Sequence, residues 1–122
     1  MTFLLVMLCG GLGAATRFVV DGAVRTRLRT AFPWATVTVN VSGSLLIGVV
    51  MGAVLFHGSG EGWHLLVATG FCGGYTTFST AMVETVRLAQ SGRARLAATN
   101  ALGTLLLAVA ACAAGLGLAA LL

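Results

Sequence analysis

The sequence predicts an all-α membrane protein with four transmembrane helices, the third of them broken near its middle. Of the 122 residues, 58% are apolar and 8% are charged, and the apolar residues fall into four long runs. A soluble domain of this length has too little interior to hide so much apolar surface. Because the chain is short and its polar connections are short, we expect residues 1–122 to form a single domain.

Each of the four runs reaches the length of about 20 residues that a helix needs to cross a bilayer. The first run contains Arg17, and the third contains a short polar stretch. Four helices with short connections predict an up-down-up-down bundle with both termini on one side. The predicted spans are residues 3–20, 30–56, 62–83 and 96–122.

The charges predict how the bundle is oriented. All seven basic residues are Arg, and all lie on the side of the first and third connections: Arg17, Arg25, Arg27, Arg29, Arg87, Arg93 and Arg95. The positive-inside rule assigns that side to the cytoplasm, in a cytoplasmic membrane, and both termini to the external side. So strong a bias predicts one fixed orientation. The basic residues form no face with interleaved aromatics, so nucleic-acid binding is not indicated.

The first helix is rich in small residues, which let helix backbones approach closely in lipid. Its cluster consists of Gly10, Gly11, Gly13, Ala14 and Ala15. Arg17 follows one turn later. Two interpretations of its side chain remain open: it extends to the cytoplasmic interface, or it anchors a polar vestibule.

The second helix is predicted to begin with Pro33 at its first helical position and Trp34 at the interface. Steps of four residues then define one stripe, polar at one end and small throughout: Thr36, Asn40, Ser44, Gly48 and Gly52. A close helix–helix contact explains the small members. Asn40 has two readings, because a carboxamide at membrane depth needs a partner and its NH2 group is also a good anion donor.

The third helix carries the stretch around which the chain is organised. Two adjacent glycines, Gly73 and Gly74, precede four hydroxyl residues at positions 76–80. Glycines weaken a helix, and hydroxyls compete for its backbone hydrogen bonds. A broken, polar segment at membrane depth is tolerated only within protein or beside a water-filled or ion-filled cavity. We therefore predict a small-ion site here, to which Thr104 of the fourth helix adds a hydroxyl.

The polar inventory excludes several functions. The three acidic residues lie at the ends of the runs, so the buried carboxylate expected of a proton-coupled multidrug exporter is missing. No nucleophile–base–acid set is present, which argues against an enzyme. The second connection, with its alternating glycines and two histidines, is best explained as a tight turn rather than a phosphate or metal site. Neutral donors at depth favour a passive pathway for an anion, whereas carbonyls freed at a break suit sodium.

Three motifs resemble those of the Fluc (CrcB) fluoride channels: GGLGAATRF at 10–18, TVNVSGS at 38–44 and GFCGGYTTFST at 70–80. The resemblance implies an antiparallel dimer in the cytoplasmic membrane that passes fluoride passively and protects the cytoplasm. It implies pore-lining roles for Asn40, for Phe78 with its neighbours Thr77 and Ser79, and for Thr104, and a vestibule position for Arg17. It also implies a structural sodium ion (Na+) held by the backbone carbonyls of Gly73 and Thr76.

Two departures from the family pattern affect this interpretation. Ala81 stands where a second pore phenylalanine is expected, and Asn100 stands where a tyrosine is usual. The Arg asymmetry is also unlike that of a chain that inserts in both directions. We therefore hypothesise a heterodimer with a homologue of opposite orientation. Two functions follow: a fluoride-conducting subunit, or a non-conducting or half-conducting scaffold subunit beside an active partner.

Overall fold

The computed structural model describes residues 1–122, apart from the side chain of Glu61. Within that part of the chain the secondary structure is helical, without strands. The helices are α1 (Thr2–Arg27), α2 (Trp34–His57), α3 (residues 61–75), α4 (Phe78–Gln90) and α5 (Ala94–Leu121). Two segments are wound as π-helix, Leu65–Cys72 within α3 and Thr99–Gly103 within α5.

Three helices, α1, α2 and α5, are each long and apolar enough to cross a membrane. The third predicted span is divided into α3 and α4 by two extended residues, Thr76 and Thr77. The predicted break near the middle of the third helix is thus confirmed. Neither half is long enough to cross a bilayer as a single helix, which takes about 20 residues. The chain is an integral membrane protein by the length and composition of its helices.

The helix ends differ from the predicted ones at the Arg-bearing connections. Helix α1 continues to Arg27 and α4 to Gln90, each beyond its apolar run. Arg residues occupy the last turn of both helices, where a positive charge is favourable and a long side chain still reaches water. Pro33 was predicted at the first helical position, but α2 begins at Trp34 and Pro33 is the residue before it.

Helices α1 and α3 pack through small residues. A Cβ atom on Gly13 would overlap the Phe71 carbonyl, and a Cβ atom on Gly74 would overlap the Gly10 carbonyl. A Cβ on Gly70 would come within 2.8 Å of the Cys9 Cβ. The predicted role of the small cluster of α1 as a close helix contact is therefore confirmed for Gly10 and Gly13.

Helices α2 and α5 pack in the same way. A Cβ on Gly48 would overlap the Cys112 carbonyl, and one on Gly115 would overlap the Leu45 carbonyl. Gly52 faces Ala119, whose Cβ would be 2.5 Å from an added methyl. The small end of the α2 stripe is therefore a helix contact, as predicted. The polar end of the stripe, with Asn40, faces the break.

Candidate functional site

The break lies two residues beyond the paired glycines. Thr76 and Thr77 have extended backbones, with ψ of 159° at Thr76 and φ of −148° at Thr77. Gly73 remains helical (φ −61°, ψ −38°), so the glycines that were predicted to weaken the helix do not unwind it. Gly74 serves the contact with α1 instead. The Thr77 hydroxyl accepts a hydrogen bond from the Thr80 amide at 3.3 Å, and in this way it caps the start of α4.

Asn40 joins α2 to the backbone of the break. Its Nδ2 donates to the Thr77 carbonyl at 2.8 Å, and its Oδ1 accepts from the Thr77 amide at 2.8 Å. The carboxamide therefore replaces the two helical hydrogen bonds that Thr77 would otherwise make. An NH2 group has two N–H bonds, so one N–H of Asn40 is left for another acceptor. The structure thus gives Asn40 the partner that a carboxamide at this position needs, and this structural role uses most of its hydrogen-bonding capacity.

Arg17 reaches the break from the other side. Its Nη1 donates to the Thr76 carbonyl at 3.2 Å, and the residue is half-buried. The guanidinium is thus directed sideways into the bundle rather than along α1 to the interface. It does not line the groove described below, so the structure separates Arg17 from the other predicted pore residues.

The carbonyl oxygens at the end of α3 have lost their usual partners. The Thr77 amide, which would close the next turn onto the Gly73 carbonyl, donates to Asn40 instead. The Thr76 carbonyl accepts from Arg17. Carbonyl oxygens are suitable ligands for a hard cation such as sodium, so the donor type at Gly73 and Thr76 fits. The guanidinium on Thr76 is an opposing feature. No group of three His, Cys, Asp or Glu side chains that could hold a metal was found in the described part of the chain.

A groove of about 370 Å³ opens beside the break, between α2, α4 and α5. It brings together five of the predicted site residues, namely Asn40, Thr76, Thr77, Phe78 and Thr104. Its remaining lining is mostly apolar and includes no charged side chain: Ser44, Ile47, Ala81, Met82, Asn100, Ala101, Leu105 and Ala108. Phe78 is 79% exposed, so little of its ring is covered within this chain.

Ser79 lies apart from the groove. It lines a second cavity, of about 390 Å³, together with Thr80 and three charged residues at the Arg-bearing end: Arg25, Glu84 and Arg87. The hydroxyl residues of the break therefore point to two places, with Thr77 at the groove and Ser79 at the charged cavity. The helical turn that starts at Phe78 causes this division, because successive side chains leave a helix in directions about 100° apart.

Asn100 makes more contacts than its sequence position indicated. It is 1% exposed, and its Nδ2 donates to the Thr85 hydroxyl at 2.8 Å and to the Ala81 carbonyl at 3.3 Å. The Thr104 hydroxyl in turn donates to Asn100 Oδ1 at 3.4 Å. Thr104 thus offers the groove an oxygen whose proton is already directed at Asn100. The four-residue spacing of Asn100 and Thr104 indicated their contact, but nothing local indicated Thr85.

A partly buried network around Glu84 was not predicted from the sequence. Glu84, predicted only as a segment end, has a side chain 14% exposed and accepts a hydrogen bond from Thr36. Arg25 lies 3.6 Å from Glu84 and 2.6 Å from Asp21. The four-residue spacing of Asp21 and Arg25 could have shown their pair. The Thr36–Glu84 bond joins residues 48 positions apart, for which the sequence carries no signal.

Comparison with known proteins identifies the family. Residues 4–116 match the family described as CrcB-like protein, Camphor Resistance (CrcB). A Leifsonia xyli subsp. xyli protein named Fluoride-specific ion channel FluC 1 is 48% identical over 115 residues, which cover 94% of this chain and 82% of that protein. Fluoride-specific ion channel FluC 2 of Cutibacterium acnes is 44% identical over 119 residues, 97% of each chain. Fluoride-specific ion channel FluC 1 of Frankia casuarinae is 46% identical over 125 residues, 98% of this chain and 96% of the relative. The chain therefore belongs to the CrcB family, a family of ion channels and not of enzymes.

Proposed function

We propose that this chain is a subunit of a fluoride channel that lets fluoride leave the cytoplasm passively and so lowers its toxicity. The observation that carries the proposal is the uncharged groove beside the helix break, at which Asn40, Thr77, Phe78 and Thr104 meet. The names of the relatives support fluoride as the ion. A groove without acidic or basic side chains gives no titratable group for proton coupling, which favours a passive pathway.

The groups in the groove fit a small anion that has lost part of its water. The free N–H of Asn40 is a neutral donor, and the ring edge of Phe78 carries the positive part of the aromatic quadrupole. The apolar remainder of the lining supplies no competing ligand. These groups stabilise an anion weakly enough for it to leave again, as conduction requires.

We propose an antiparallel dimer in the cytoplasmic membrane as the functional unit, with a structural sodium ion at its centre. The exposed ring of Phe78 and the open groove supply a surface for a second subunit. The sodium ion would be held by the carbonyls of Gly73 and Thr76. When bound, it supplies positive charge that keeps the two helix breaks together. The Arg distribution favours one orientation for this chain, with both termini external.

The channel proposal is tested by fluoride efflux from liposomes, measured with a fluoride electrode. Phe78→Ala removes a ring that makes little contact within the subunit, so the variant should fold as before and lose most of its efflux. Phe18→Ala is the matched control, because Phe18 is 82% exposed on α1 and lies outside the groove. Equal efflux from the two variants would contradict the assignment of the groove as the pathway.

The second candidate is a scaffold subunit that conducts poorly or not at all beside an active homologue. Two observations favour it: Ala81 presents only a methyl group to the groove, and the seven Arg residues all lie at the side of the first and third connections. Liposomes that contain this chain alone, and then this chain with a homologue of reversed Arg placement, separate the candidates. Efflux from the chain alone supports the first candidate, and efflux only from the mixture supports the second.

Equal reporter signals from both sides of the membrane for one tagged terminus would contradict the fixed orientation.

A further inference from the structure

Arg17 is a cationic side chain without an ion-pair partner in the described residues, and it lies well inside α1. The helix continues beyond it to Arg27, so Arg17 is about 15 Å from the end of the helix. Both salt bridges of the described residues involve Arg25, not Arg17. Arg17 lies within the apolar run of residues 3–20, about one turn from its end, and a charge inside such a run is costly unless the protein satisfies it. The partner that it has is the Thr76 carbonyl, 3.2 Å from Nη1.

The Thr76 carbonyl is a favourable place for a positive charge. It follows the last residue of α3, where the carbonyl end of a helix carries partial negative charge. The break leaves that end without the hydrogen bonds of a continuing helix, because the Thr77 and Thr80 amides are used by Asn40 and by the Thr77 hydroxyl. Arg17 therefore neutralises the charge that the break creates.

The same oxygen is one of the two proposed sodium ligands. A carbonyl oxygen has two lone pairs, so the guanidinium does not block sodium sterically. Two positive charges on one oxygen nevertheless repel each other strongly at membrane depth, where the effective dielectric constant is far below that of water. Sodium binding at Gly73 and Thr76 must therefore work against Arg17.

We infer that Arg17 is a tethered counter-cation of the helix break, which lowers the affinity of the Gly73 and Thr76 carbonyls for sodium and stabilises the break in its absence. This inference rests on the proposed sodium site. Arg17 is thus a positioning residue, and sodium dependence, rather than fluoride transport alone, is the property that it sets.

The test is thermal unfolding of the full chain in detergent, as sodium chloride replaces N-methylglucamine chloride at constant ionic strength. For Arg17→Gln we expect a lower unfolding temperature without sodium. We also expect the sodium concentration for half-maximal stabilisation to fall by about tenfold, because one repulsive charge is gone. Arg17→Lys keeps the charge and should behave like the unmodified chain. Arg27→Gln, on the exposed end of the same helix, is the control.

The outcomes separate this inference from the proposed sodium site. Sodium dependence that appears or strengthens only in Arg17→Gln supports the inference. Sodium stabilisation with the same midpoint in Arg17→Gln and in the unmodified chain overturns the inference and leaves the sodium site standing. Absence of sodium dependence in both chains overturns both. If Arg17→Gln does not fold, Arg17→Met, which keeps the apolar stem and also removes the charge, takes its place with the same outcomes.

Discussion

Replacing Asn40 tests whether this residue acts mainly as an ion ligand or as the link that holds the broken helix. Asn40→Ala removes two hydrogen bonds of 2.8 Å that join α2 to the amide and carbonyl of Thr77. An interhelical hydrogen bond in a membrane contributes about 0.6 kcal/mol on average, with a maximum of about 1.7 kcal/mol. A peptide group left without a partner costs about 1–3 kcal/mol more. We expect the free energy of unfolding to fall by about 2–4 kcal/mol in total.

The assay is thermal unfolding in detergent beside fluoride efflux from liposomes. Ser44→Ala is the matched control, since Ser44 lies one turn further along α2 and lines the same groove. Asn40→Ala should unfold several degrees below this control and should also lose efflux. If Asn40→Ala unfolds at the temperature of Ser44→Ala and only efflux is lost, Asn40 is chiefly an ion ligand. That result would refute the structural role that the two hydrogen bonds assign to it.

Two further changes test the packing around the break. Gly74→Ala should reduce stability by about 1–3 kcal/mol, because its methyl group would overlap the Gly10 carbonyl of α1. Gly11→Ala is the control and should leave the unfolding temperature unchanged, since its methyl group would meet no atom within 4 Å. Asn100→Ala and Thr85→Val should each destabilise the chain, and a double-mutant cycle should give a coupling of about 0.5–1.5 kcal/mol through their 2.8 Å bond. A Gly74→Ala chain as stable as Gly11→Ala, or additive effects at Asn100 and Thr85, would contradict the packing described here.

Much of the architecture could be predicted because it depends on composition over many residues. The apolar runs predicted the spans, and the small residues of α1 and α2 predicted close helix contacts. The hydroxyl residues after Gly74 predicted a break in the third helix. The helix ends were predicted less well, since apolar content reports the lipid-facing length and Arg27 and Gln90 lie beyond it. The predicted start of α2 at Pro33 was wrong by one residue, since the helix begins at Trp34.

The site was harder to predict because its bonds join distant parts of the chain. Asn40 and Thr77 are 37 positions apart, and Arg17 and Thr76 are 59 apart. The spacing of neighbouring residues in the sequence does not predict such pairs. The sequence could therefore identify Asn40 and Arg17 as polar groups at depth that need partners, but it could not name those partners.

A helical membrane protein with a broken third helix follows from the amino-acid sequence alone, because the bilayer sets the span length and every backbone group in it must be satisfied. How the backbone groups of the break are satisfied depends on the packing of the helices. The chain unwinds at Thr76 and Thr77, after the paired glycines, and Gly74 stays helical in close contact with α1. There Asn40 and Arg17, brought in from α2 and α1, complete the hydrogen bonds that the interrupted helix lacks.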